Sequence, residues 1–103
     1  MNEKRKELQI ILENILGSDQ VYFQPPETIK MSYPAIVFSF DGIDNKKANN
    51  KQYMTHFVFH ATFITKMVNS DQVLNALLSL EYCSLGKPYV SDGLYHYPFT
   101  IYK

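Results

Sequence analysis

His56, His60, His96 and Cys83 are the residues of this chain whose types could hold a metal or form a nucleophile–base pair. His56 and His60 stand four positions apart, the spacing that chelates zinc when it falls on a helix. Both, however, lie inside Tyr53–Thr65, YMTHFVFHATFIT, where Tyr53, Thr55, Phe57, Phe59, Ala61 and Phe63 alternate with the rest. A period of two rich in aromatic and β-branched residues describes a strand. Four positions along a strand span ~13 Å, far more than two metal bonds of ~2 Å can bridge. The pair is therefore expected not to share a metal. Cys83 could work with a histidine, but no local signature accompanies it, and a small buried apolar residue is the plainer reading. Gly17, Gly42, Gly86 and Gly93 are scattered, so no glycine-rich phosphate loop exists. The carboxylates sit in expected loops and helix ends without a paired arrangement. The expectation is no enzyme, no metal and no cofactor.

The elements that must position these residues are those of one small domain, 1–103, with room for a single core. Apolar residues make up 46% of the chain and aromatics 15%, which excludes intrinsic disorder. Ten basic side chains balance ten acidic ones, which counts against a free-standing nucleic-acid binder. No apolar run approaches a membrane span and no signal peptide opens the sequence, so no membrane partner is expected. A lone cysteine excludes an internal disulfide and points to a reducing compartment.

Along the chain, Asn2 can cap a helix whose stripe is Leu8, Ile11, Leu12, Ile15 and Leu16, stopped by Gly17. The mixed-charge run Glu3–Glu7 reads as a solvated face or a phosphate contact. Val21–Gln24 forms a short strand ended by Pro25-Pro26, and Ala35–Phe40 a second, with Ile36, Phe38 and Phe40 on one face. Tyr53–Thr65 is the central strand. Asn69 or Ser70 then caps a helix with the stripe Val73, Leu74, Leu77, Leu78 and Leu80. Lys87–Ser91 and Leu94–Tyr102 read as a hairpin turning at Asp92-Gly93, with Pro98 marking an edge strand or a bulge. The order α-β-β-β-α-β-β predicts an α+β sandwich, mainly antiparallel, with two helices on one face. Phe57, Phe59 and Phe63 should lie beneath Leu12, Ile15, Leu74 and Leu77.

From Asp41 to Gln52 the composition changes to DGIDNKKANNKQ, as in a flexible hairpin loop. Roughly ten residues is long for a connection between neighbouring strands, and such loops are functional or idle. Ile43, Asp44, Lys46, Lys47, Asn49, Asn50 and Lys51 are the candidate interface residues. A nucleic-acid module is the contrasting class, since Phe57 and Phe59 share a strand face as stacking aromatics do. No basic residue interleaves them, and core packing explains them more simply.

Several segments carry a family resemblance. Val-Tyr-Phe-Gln-Pro-Pro at 21–26 precedes Met31-Ser32-Tyr33-Pro34-Ala35-Ile36-Val37; Tyr82-Cys83-Ser84, Asp92-Gly93-Leu94-Tyr95-His96 and Phe99-Thr100-Ile101-Tyr102 follow. From Val21 onward, about four-fifths of the chain resembles the small tail-completion proteins of long-tailed bacteriophages and prophages, more closely their tail terminator (tail-to-head joining) group. The resemblance implies a small α/β sandwich that assembles as a ring, commonly hexameric, on the tail tube. Such a ring would stop tube polymerisation, dock to the head connector or stopper, and let DNA pass without specific binding. The implied location is the head–tail junction of the virion, and the host cytoplasm during assembly. A head-closure or neck protein of the same gene cluster is the neighbouring alternative. The family offers no set of functional residues to carry over.

Overall fold

The computed structural model describes the backbone of residues 2–26, 29–48, 51–66, 71–80 and 82–103, and their side chains except 2, 44–48 and 51–55. Helix α1, Asn2–Leu16, presents Leu8 and Leu12 to the core, with Ile15 and Leu16 packed at its margin. Gly17 ends it in the left-handed region (φ 79°), donating its N–H to the Glu13 carbonyl at 2.9 Å. Only a residue without Cβ adopts that conformation freely, so the helix stops where the sequence predicts. The charged first turn is partly spent on packing, because the Arg5 guanidinium lies 5.0 Å from the centre of the Phe23 ring.

One sheet carries everything else. Its strands are β1 (Val21–Phe23), β2 (Ala35–Ala48), β3 (Lys51–Thr65), β4 (Cys83–Leu85), β5 (Tyr89–Ser91) and β6 (Leu94–Tyr102), with α2 (Asp71–Leu78) between β3 and β4. The spatial order is β1-β2-β3-β6-β4, and β5 pairs with β6 beside β4. Among the described strand pairs, only β1 with β2 is parallel. The protein is thus the α+β sandwich expected, with β4 an added short strand between the second helix and the final hairpin. The expected caps of α2, Asn69 and Ser70, lie outside the described residues.

Register puts the large side chains on one face. Phe59 stands opposite Phe40 and Ile101, Ala61 opposite Phe38 and Phe99, and Phe63 opposite Ile36 and Tyr97. Phe38, Phe59, Phe63 and Phe99 are fully buried there beneath Leu8, Leu12 and Leu77, while Phe57, Ile15 and Leu74 pack at the edge of the same cluster. Ring contacts run without a break from Phe23 through Phe38, Phe59 and Phe40 to Phe57, with centroids 5.0–6.1 Å apart. Their tilted and edge-on geometries are those aromatic quadrupoles prefer.

The opposite face carries Val37, Ser39, Val58, His60, Thr62, Pro98 and Thr100, none of them fully buried, and at its one end the buried pair Ala35 and Ile64. No described helix covers it, since the buried and packed residues of α1 and α2 belong to the one core cluster. Two expectations need correction. Pro98 is neither on an edge strand nor at a bulge: β6 runs between β3 on one side and β4 and β5 on the other, and its pairing with β3 passes through Pro98 without a shift. Its carbonyl accepts the Gly86 N–H at 2.8 Å, so its missing donor points to the gap between β4 and β5, where no partner is lost. The second correction concerns the loop.

Candidate interface: a two-stranded ribbon

The segment Asp41–Gln52, expected as a flexible loop, is strand through Ala48 and again from Lys51. Ile43 pairs with Phe57, Asp44 with His56, Lys46 with Met54, Lys47 with Gln52 and Ala48 with Lys51. The physical reason is a template. Tyr53–Phe57 is a strong strand former with an unfilled ladder, and a polar partner segment of low β-propensity adopts the conformation its neighbour offers. Asn49 and Asn50, between the two strands in sequence, lie outside the described residues.

Two irregularities shape the ribbon. An extra residue, Asp41, interrupts β2 between Phe40 and Gly42, and the register shifts again between Lys46 and Lys47. Bulges raise twist and bend a strand away from its sheet. The last bond from the C-terminal segment to β3 runs from the Lys103 N–H to the Phe57 carbonyl at 2.8 Å. Beyond that bond, 43–48 and 51–56 pair only with one another among the described residues. Six residues of strand extend ~20 Å, and the molecule is correspondingly long, 49 × 26 × 23 Å.

Of the seven residues expected at an interface, Ile43 has a described side chain, and it is 57% exposed. Asp44, Lys46, Lys47 and Lys51 are placed by backbone register alone, and Asn49 and Asn50 lie outside the described residues. On β4 and β5, at one edge of the sheet, Leu85, Tyr89 and Val90 are exposed, Val90 by 63%. On the outer edge of β1 and the adjoining stretch of β2, two backbone groups are taken by side chains. Gln9 Nε2 donates to the Val21 carbonyl at 2.9 Å, and Gln24 Oε1 accepts the Phe40 N–H at 3.1 Å. Side chains thus occupy groups that would otherwise recruit a foreign strand.

The histidines and the cysteine are dispersed. His60 Nε2 lies 3.1 Å from Asp41 Oδ2, and its Nδ1 lies 3.4 Å from Thr100 Oγ1. The set is a carboxylate, an imidazole and a hydroxyl in line, but His60 and Asp41 are both half exposed on the open sheet face. Electrostatic contacts of this kind gain their strength where water is excluded, and both of these groups are open to water. Sequence reasoning misses the pair because it depends on the bulge that turns Asp41 toward His60. His96 Nδ1 donates to the Leu94 carbonyl at 3.0 Å and its ring stacks on Tyr89 at 4.7 Å. His56 packs against Tyr82, with ring centres 5.1 Å apart. Cys83 is half-buried, and desolvation pushes its thiol pKa up, the wrong direction for a nucleophile. Among the described residues, no three His, Cys, Asp or Glu side chains are grouped to hold a metal, and no helix is long and apolar enough to cross a membrane. No family model matches the chain, and no curated protein matches it.

Proposed function

We propose that this chain is the subunit of a ring that completes a bacteriophage tail, a tail terminator that caps the tube and docks to the head connector. The observation that carries the reading is a pair of distinct exposed surfaces. A ribbon bearing the exposed Ile43 projects beyond the end of β2 and β3, and Leu85, Tyr89 and Val90 are exposed on β4 and β5 at one edge of the sheet. A head-to-tail contact between two different patches generates a ring when its rotation closes. One copy, 49 × 26 × 23 Å, cannot enclose a duplex, so a DNA channel requires several. Formal neutrality suits a wall past which DNA slides, because phosphate-neutralising contacts would grip it. The family resemblance from Val21 onward supplies the tail itself, the hexameric order, and the tube and connector as partners.

The test is the mass of the purified protein in solution, followed by imaging for annular particles. A multimer that Ile43→Glu and Val90→Glu each reduce to folded monomers is the expected result. A monomer at every concentration, with no ring on added tail tubes, would refute the proposal. One observation favours a second reading. The register gathers Lys46, Lys47 and Lys51 near the end of the ribbon, and a basic two-stranded ribbon is a shape that enters the major groove. Salt-sensitive duplex binding that falls when the three become Ala would support that alternative.

A further inference from the structure

Asp41 is followed by Gly42 and Asp92 by Gly93, the two Asp-Gly steps of the sequence. Such a step is chemically labile, because a glycine nitrogen with no side chain beside it can attack the preceding side-chain carboxyl. Asp41 is the extra residue of the β2 bulge, its side chain is 53% exposed, and a methyl group placed on Gly42 would meet none of the described residues within 4 Å. The ladder is interrupted here, and among the described residues the ribbon beyond it is paired only with itself, so local opening is cheap. One contact opposes the reaction. His60 Nε2 lies 3.1 Å from Asp41 Oδ2 and turns the carboxylate across to β3, whereas ring closure needs its carbon over the Gly42 nitrogen. We infer that Asp41–Gly42 is a site of isoaspartate formation in the folded protein, with the His60 contact as the restraint that slows it.

The step balances with no co-reactant but water. The Gly42 nitrogen forms a bond to Asp41 Cγ, and its proton leaves with the carboxyl hydroxyl as one water molecule, closing a succinimide ring. One water then adds back. Cleavage of the new bond restores aspartate. Cleavage at the original peptide carbon leaves the main chain running through Cβ and Cγ, with that peptide carbon as a free carboxylate. The main chain is then one carbon longer at the residue that already interrupts the register between Phe40–Phe59 and Gly42–Val58. Pairing from Ile43 to Ala48 depends on that junction, so conversion should loosen the ribbon while the β3–β6 ladder stays whole. The inference does not rest on the ring proposal, since a monomer carries the same bulge.

The experiment is prolonged incubation of the full chain at neutral pH, followed by peptide mapping with electron-transfer fragmentation, which separates the two isomers. Asp92 is the internal reference, and the chain held in urea gives the unrestrained rate. Isoaspartate should accumulate at Asp41 in the folded protein, more slowly than in urea. His60→Val, which keeps a strand-forming residue and removes the restraint, should speed conversion at Asp41 several-fold and leave Asp92 unchanged. A melting curve and an amide exchange rate at Gly42 equal to the parent's would show that the side chain alone has been released. No isoaspartate at Asp41 once the urea sample has converted would overturn the inference. An unchanged rate in His60→Val, or an increase matched by faster amide exchange at Gly42, would overturn the role of His60.

Discussion

Phe59 is opposed by Phe40 on one neighbouring strand and by Ile101 on the other, and no part of it reaches water. Truncating it to Ala should cost about 3–5 kcal/mol, a large share of what holds a small domain folded. Denaturant titration measures this, and a melt like the parent's would contradict the burial. The Asp41–His60 pair lies at the other extreme. Both partners are half exposed, so Asp41→Asn should change stability by no more than ~1 kcal/mol. Cys83 gives a kinetic test. Burial raises its pKa, so at any pH below that value it carries less thiolate than an unfolded chain, and iodoacetamide should modify the folded protein more slowly. At this scale the buried residues were legible, because alternation alone separates Phe57, Phe59 and Phe63 from His56, Val58 and His60. The partners of the polar residues were not. His60 meets Asp41 only because a bulge shifts the register, and His96 meets Tyr89 only across a hairpin.

Among the elements, both helices, the central strand and the final turn follow from local rules. Asp92 (φ 53°) and Gly93 (φ 74°) take the paired left-handed conformation that a two-residue hairpin demands and that these residue types tolerate. The ribbon was illegible for the opposite reason. Residues 41–48 lack strand propensity of their own, and their conformation is dictated by the strand they face, from Val58 back to Lys51. Two-stranded ribbons are marginal in isolation, so 43–48 and 51–56 should exchange their amide hydrogens far faster than 58–65 in a free subunit. Replacing 44–56 by Asn-Gly keeps Ile43 opposite Phe57 and leaves the β3–β6 ladder whole. That variant should melt near the parent temperature and lose self-association. If its multimers persisted, the ribbon would be excluded as the contact between subunits.

For the whole molecule, strand order decides how the protein comes to be folded. Strand β6 is the last in sequence, yet it lies inside the sheet, with β3 on one flank and β4 and β5 on the other. Its partners on β3 are 30 to 44 positions away, and closing such loops precedes any gain from the contacts they permit. A nascent chain that has reached only Ser91 lacks Phe99 and Ile101, both fully buried in the finished core. Until those residues arrive, the long apolar flank of Phe57–Ile64 has water or another chain for company, the condition under which half-made polypeptides aggregate. Synthesis is therefore the most hazardous period in the life of this protein, and ribosomes stalled after Ser91 should recruit holdase chaperones that release the chain once Tyr102 has emerged.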